Sequence, residues 1–186
     1  IAAEVFDWVD EDLPATLKEG LAKVLKNPID WAVKMVNEAA ADLICLKLQG
    51  IHPDFGNKSS KEAVGLVTSL LKKVKVPLIV LGCGNADKDD EVLPMISEAT
   101  KGERLTFGDA SQENYKTLTA ACIADGHNII AESPIDVNIA KQLNILISDL
   151  SLSLDRIVIN PTIGALGYGL EYAYSIMERA RGAALS

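Results

Sequence analysis

Very little in this sequence could carry chemistry by itself. Its three cysteines, Cys45, Cys83 and Cys122, stand alone with no C-x-x-C pair, so no zinc or iron–sulfur site is legible. They read as reduced thiols serving as small hydrophobes. Only two histidines occur, His52 and His127. His127 precedes an expected strand, at the end away from ligand-facing loops, and neither histidine has a visible set of metal-ligand partners. A G-x-S-x-G elbow, an H-E-x-x-H motif and a His–Cys pairing at catalytic spacing are all missing. No run of about 18 apolar residues exists to span a membrane, and the opening residues lead to the expectation that no signal peptide is present. The formal net charge is −8 with no Lys/Arg cluster, which argues against nucleic-acid phosphate as a partner. A cytoplasmic protein is the expectation.

What the sequence does have is a strand and a helix, repeated. Its 186 residues, 48% of them hydrophobic, suffice for one globular domain. Short apolar runs predict strands at about 2–7, 42–48, 77–82, 104–108, 128–132 and 156–160. Lys47 is the odd member of its otherwise apolar run. Asp10, Glu11 and Asp12 read as solvated loop. Asn27 with Pro28 opens a helix whose inner stripe is Ala32, Val33 and Val36. Ser59-x-x-Glu62 is a capping box before Val64, Val67, Leu70, Leu71 and Val74 at helical spacing. Asp87 is the expected cap of the next helix, its Asp87–Glu91 run a solvated start favoured by the helix dipole. Pro94 should start or kink that helix. Ser111 is expected to cap a helix that stops at Gly126.

Strands apolar on both faces, alternating with amphipathic helices, imply a parallel sheet sheathed by helices. A doubly wound sheet fits. A TIM-type (β/α)8 barrel fits better, because polar or glycine-rich residues close every strand rather than clustering at one switch point. Asp7, His52, Asp54, Asn85, Asp109, Glu132 and Asn160 would ring one mouth. A full barrel needs eight units and about 250 residues, and about six units are countable here. Residues 1–186 are therefore expected to form a single, incomplete barrel domain. After the sixth strand, Asn160-Pro161-Thr162-Ile163-Gly164-Ala165-Leu166-Gly167-Tyr168-Gly169 forms a loop longer than a bare connection needs. Its glycines let backbone approach a ligand, although a tight strand-to-helix turn would use them too.

Several segments carry a family resemblance that covers essentially the whole chain. They are Asn27-Pro28-x-x-Trp31-Ala32, Asp42-Leu43-Ile44-Cys45-Leu46, Val76-Pro77-Leu78-Ile79-Val80, Ser133-Pro134-Ile135-Asp136-Val137-Asn138, Lys141-Gln142-Leu143-Asn144-Ile145 and Gly164-Ala165-Leu166-Gly167-Tyr168-Gly169-x-Glu171-Tyr172. Together they resemble the small subunit of the corrinoid iron–sulfur protein, whose archaeal counterpart is the delta subunit of the acetyl-CoA decarbonylase/synthase complex. The resemblance implies a TIM barrel related to pterin-dependent methyltransferases, paired with a large subunit that carries a [4Fe–4S] cluster and a corrinoid-binding domain. It further implies a corrinoid held between the two subunits. A methyl group would pass from a methyl-tetrahydropterin, through a methyltransferase, to that cofactor and on to acetyl-CoA synthase/CO dehydrogenase. Family members also have sequence before the first strand and two βα units after the sixth.

A corrinoid supplies its own nucleophile, which agrees with the missing motifs. It needs hydrogen-bonding groups for its amide rim and a wall against water. Asn85, Asn160, Thr162 and the loop glycines Gly164 and Gly167 would supply such groups. Asp54, Asp109 and Glu132 would accept from side-chain amides. For each the plainer role is a helix cap or a turn. Tyr168 would pack under the loop or stack on the ring, with packing favoured. Two other readings compete: a pterin-binding methyltransferase or dihydropteroate-synthase-like enzyme, and a non-catalytic scaffold.

Overall fold

The computed structural model describes residues 1–9 and 13–185. The expected loop at Asp10, Glu11 and Asp12 lies outside them. Strand and helix alternate: β1 (Ala2–Phe6), α1 (Ala15–Leu21), α2 (Pro28–Glu38), β2 (Leu43–Lys47), α3 (Ser60–Lys73), β3 (Leu78–Leu81), α4 (Ala86–Ala99), β4 (Thr106–Ala110), α5 (Tyr115–Asp125), β5 (Asn128–Glu132), α6 (Val137–Asp149), β6 (Ile157–Asn160) and α7 (Leu170–Leu185). All neighbouring strands are parallel, and their order across the sheet is their order in the chain. Crossovers between parallel strands are right-handed almost without exception, so strands laid down in one direction place their helices on one face. Among the described residues the order never reverses, so the sheet lacks the switch point of a doubly wound fold.

The core lies between that face and the helices. Val5, Leu46, Val80, Phe107 and Ile129 are register partners across five strands, and each is 0% exposed. Val67, Leu70, Val92, Ile96, Leu118 and Leu143 meet this layer from the helices. Each such side chain contributes roughly 1.5–3 kcal/mol by leaving water. Period 2 turns the alternate residues of β2, Leu43, Cys45 and Lys47, to the opposite face, where they are only half-buried. Among the described residues no helix is long and apolar enough to cross a membrane.

Local signals place most boundaries. Asn27 Oδ1 accepts the Ile29 amide at 3.1 Å with Pro28 in the first turn. Both halves of the Ser59–Glu62 capping box form. Gly126, at φ 86°, ends α5. Three expectations need correction. Asn85, not Asp87, caps α4 through the Lys88 amide at 3.1 Å; of the two places expected for Pro94, it takes the one inside that helix. Ser111 sits in the turn before α5, its amide donating to Asn114 Oδ1 at 2.8 Å. β4 begins at Thr106, because Arg104 adopts φ 55° and the Leu105 amide goes to a side chain instead of the ladder. It then runs through Gly108, where a Cβ would meet the Ile130 Cβ at 2.9 Å.

The acceptor for Leu105 is Nδ1 of His127, at 3.1 Å, while Nε2 lies 3.0 Å from the Ser97 carbonyl. A carbonyl only accepts, so the proton is on Nε2 and the fully buried ring is neutral. Burial holds its pKa below the ordinary imidazole value. The folded state therefore binds fewer protons than the unfolded one. The stability this ring contributes is full above about pH 6.5 and is lost as pH falls through the lower folded value. The melting temperature should consequently fall more steeply between pH 7.5 and pH 5 in the wild type than in His127→Gln. Equal slopes would show that the ring's titration is not linked to folding.

Candidate functional site at the carboxyl end of the sheet

Because every strand is parallel, all loops that follow strands gather at one end. There a cavity of about 260 Å³ opens, lined by Lys47 at the end of β2, Gln49 just after it, Gly82, Cys83 and Gly84 after β3, and Ala86 and Asp89 on α4. Asp109, Ser111, Glu113, Asn114 and Glu132 complete it. Four carboxylates thus face one ammonium, so the cavity is acidic.

Asp109 and Glu132 form its electrostatic centre. Burial, and then the Glu132 charge, push the Asp109 carboxyl up to about 6, against the opposing pull of Asn160 and Lys47. Asn160 Nδ2 donates to Asp109 Oδ1 at 3.4 Å, and Asn160 Oδ1 accepts the Thr162 amide at 3.1 Å. The Thr162 hydroxyl lies 3.1 Å from the Ser133 carbonyl and 3.4 Å from Glu132 Oε1. These bonds tie the loop after β6 to the end of β5, with Thr162 and Ile135 both at positive φ, 55° and 48°. A β-branched residue held there costs on the order of 1–3 kcal/mol. The cross-loop bonds, including Ile135 amide to Pro161 carbonyl at 3.1 Å, offset part of it.

Of the nine residues expected to meet the cofactor, Asp109 and Glu132 line the cavity and Asn160 and Thr162 are bonded to them. Glu132 and Asn160 close β5 and β6 within the expected bounds, whereas Asp109, expected just after its strand, lies inside β4. Asn85 is a helix cap outside the lining. Asp54 is on the same end but its side chain is 85% exposed, with its amide on His52 Nδ1 at 3.1 Å. Gly164, Gly167 and Tyr168 belong to the loop after β6 and do not line the cavity. Gly167 has φ 80° with open space around it, whereas a Cβ on Gly164 would lie 2.4 Å from the Tyr168 carbonyl oxygen. The favoured packing of Tyr168 under the loop is not what forms: the residue is 84% exposed. Asp7 is buried and structural, accepting the Gly50 amide at 2.7 Å and pairing with Lys58 at 3.1 Å. Sequence reasoning missed Gln49, Asp89, Glu113 and Asn114, whose signal was only their position shortly after a strand.

The thiols at this end are kept protonated. Burial pushes Cys83 up to about 11 and Cys45 up to about 12. Among the described residues, no three His, Cys, Asp or Glu side chains come together as metal ligands. The arrangement presents hydrogen-bond acceptors with one ammonium, in a half-enclosed polar hollow.

Fold and site together describe parallel βα units that present an acidic cavity at the carboxyl end of the sheet. The family model for the CO dehydrogenase/acetyl-CoA synthase delta subunit matches residues 1–186, and the chain belongs to that family. It is 34% identical over 186 residues to the acetyl-CoA decarbonylase/synthase complex subunit delta of Methanopyrus kandleri, covering 100% of this chain and 46% of that protein. The subunit delta of Methanocaldococcus jannaschii is 36% identical over 182 residues, 97% of this chain and 45% of its own length. Subunit delta 2 of Methanosarcina acetivorans is 37% identical over 187 residues, 100% and 43%. The chain thus spans less than half the length of these relatives.

The carboxylate pair yields a stability test. Asp109 is raised in the folded state, so the stability associated with its neutral form is lost as pH rises through about 6. Asp109→Asn should therefore be more stable than the wild type at pH 7.5, by on the order of 2 kcal/mol. The advantage should vanish near pH 4. Chemical denaturation at both pH values checks this, and an equal difference at the two would refute the assigned cause.

Proposed function

We propose that this chain is the corrinoid-facing barrel of a methyl carrier in the reductive acetyl-CoA pathway. The single observation that carries the reading is the family match over all 186 residues, a match that includes the acidic mouth. In this reading the subunit is not itself catalytic. It pairs with a large subunit that bears the iron–sulfur cluster and shares the corrinoid with it. A pterin-dependent methyltransferase precedes it in the transfer, and acetyl-CoA synthase/CO dehydrogenase receives the methyl group. Further βα units would close a TIM-type barrel against β6, whose Val158 and Ile159 are 49% and 42% exposed.

The mouth suits such a cofactor in a particular way. Pockets for drug-sized ligands run about 300–1,000 Å³, so a cavity of about 260 Å³ cannot take in a corrin macrocycle. The ring would lie across the mouth, with Asp109, Glu132 and Asn160 placed to bond amide groups of its rim. The loop Pro161–Gly169 would border it, offering backbone at Gly164 and Gly167. When bound, the corrinoid would supply the cobalt centre that accepts and releases the methyl group. Buried and protonated, Cys45 and Cys83 would not compete as nucleophiles.

One observation favours a second reading. A small polar cavity with carboxylates and a lysine also suits a pterin, whose edge carries donors and acceptors. Tight binding of a methylpterin by the isolated full-length subunit would favour it. Corrinoid bound only in the presence of the large subunit would favour the first.

Two glycine variants of the full heterodimer test the loop. Gly164→Ala forces the loop to move, because its methyl meets a backbone carbonyl. Gly167→Ala meets no atom within 4 Å and costs only strain at positive φ, about 1 kcal/mol. Bound corrinoid, measured by visible absorbance per subunit, should fall several-fold in Gly164→Ala and less in Gly167→Ala. Melting temperatures should change little in either. Unchanged corrinoid content in both would make the loop a connection only.

A further inference from the structure

The acidic run Asp87–Glu91 looks from its sequence like a solvated helix start, and one member of it is not. Asp89 is 5% exposed. The neighbouring Lys88 does not neutralise it, since that ammonium bonds Glu91 at 2.9 Å. The Asp89 carboxylate turns back over the end of β3 instead. Oδ1 accepts the Cys83 amide at 2.8 Å and Oδ2 accepts the Gly84 amide at 3.0 Å. Two successive amides before a helix start, with Gly84 at φ 86°, make a nest of the kind that receives oxyanions. Here the chain's own carboxylate fills it. The contact is close enough to dictate the residue before it: a Cβ on Gly82 would lie 2.3–2.4 Å from the carboxyl carbon and both oxygens of Asp89.

We propose that Asp89 is a positioning residue of the mouth, an internal ligand that fills the Cys83–Gly84 nest and fixes the Gly82–Gly84 wall. Filling the nest also closes this helix start to external oxyanions such as phosphate or carboxylate. The remaining polar wall, Asp109, Glu132 and Glu113, then recruits ligands that bring hydrogen-bond donors. The arrangement holds whichever donor-bearing molecule occupies the mouth, so it stands apart from the corrinoid reading.

Hydrogen exchange read by mass spectrometry on the full-length subunit tests this at the peptide covering Gly82–Gly84. Asp89→Ala should speed exchange of the Cys83 and Gly84 amides roughly ten- to hundredfold, the effect of losing a charge-assisted acceptor. Millimolar sodium formate should restore protection in Asp89→Ala and change nothing in the wild type. Asp89→Asn, which keeps one acceptor oxygen and is the gentler change should alanine fail to fold, should lose protection at this peptide alone. Gly82→Ala, whose methyl displaces the carboxylate, should also speed these amides. The proposal is overturned by unchanged exchange in both Asp89 variants. It is equally overturned by a uniform loss of protection across β3 and α4 in Asp89→Asn, or by a folded Asp89→Ala that formate does not protect.

Discussion

The handedness of the strand–helix–strand crossover organises everything else in this chain. Six parallel strands laid down in one direction leave the helices no choice of face. One face of the sheet becomes a dry layer in which Val5, Leu46, Val80, Phe107 and Ile129 are wholly buried. The other is half-open and carries the Lys47 side of β2. The same constraint brings every strand-following loop to one end, so residues far apart in sequence, such as Lys47 and Glu132, line one cavity. It also leaves an edge at β6, and α7 beyond it buries Ala173 and Ile176 while Tyr172 and Tyr174 stay exposed.

The mouth works against the stability of the fold that makes it. Asp109 and Glu132 repel one another in a half-buried setting, and Thr162 and Ile135 sit in backbone conformations that β-branched residues avoid. None of these features helps the sheet form. They persist because the surrounding bonds over-determine them: Asn160 to Asp109, Thr162 to Ser133, and Ile135 to Pro161. Other residues at positive φ, such as Ala40, Arg104 and Ser151, lie before strands, so what sets the mouth apart is the like-charged pair beside two strained β-branched residues.

How much of this could be read from sequence depended on whether the signal was local. Asn27-Pro28 and Ser59-x-x-Glu62 state their structure within four residues, and both form. The six strands were legible because buried β-branched runs have few other uses. β4 was shifted because Gly108-Asp109 has poor strand propensity, and only the crowding by Ile130 explains a glycine inside it. Asn85 and Asp87 are both good caps by composition, and the choice between them was made by where β3 ends. The mouth ring was half legible. Asp109 and Glu132 converge, whereas Asp54 does not, because its loop folds around the Asp7–Lys58 pair and leaves Asp54 in water. Asp89 was invisible, since a run of acids at a helix start reads as solvated until the loop in front of it is seen.

Burial sets the chemical character of the whole domain by suppressing reactive charge. Cys45, Cys83 and Cys122 are pushed up to about 12, 11 and 12, where the thiolate is scarce at neutral pH. His127 is held neutral and spends both nitrogens on the backbone. Asp89 spends both oxygens the same way. What remains available at the mouth is Asp109, Glu132, Glu113 and Lys47, groups that orient a ligand by hydrogen bonds and charge. Burial thus leaves carboxylate, amide and ammonium groups, rather than thiolate or buried imidazole, as the chemistry the cavity presents.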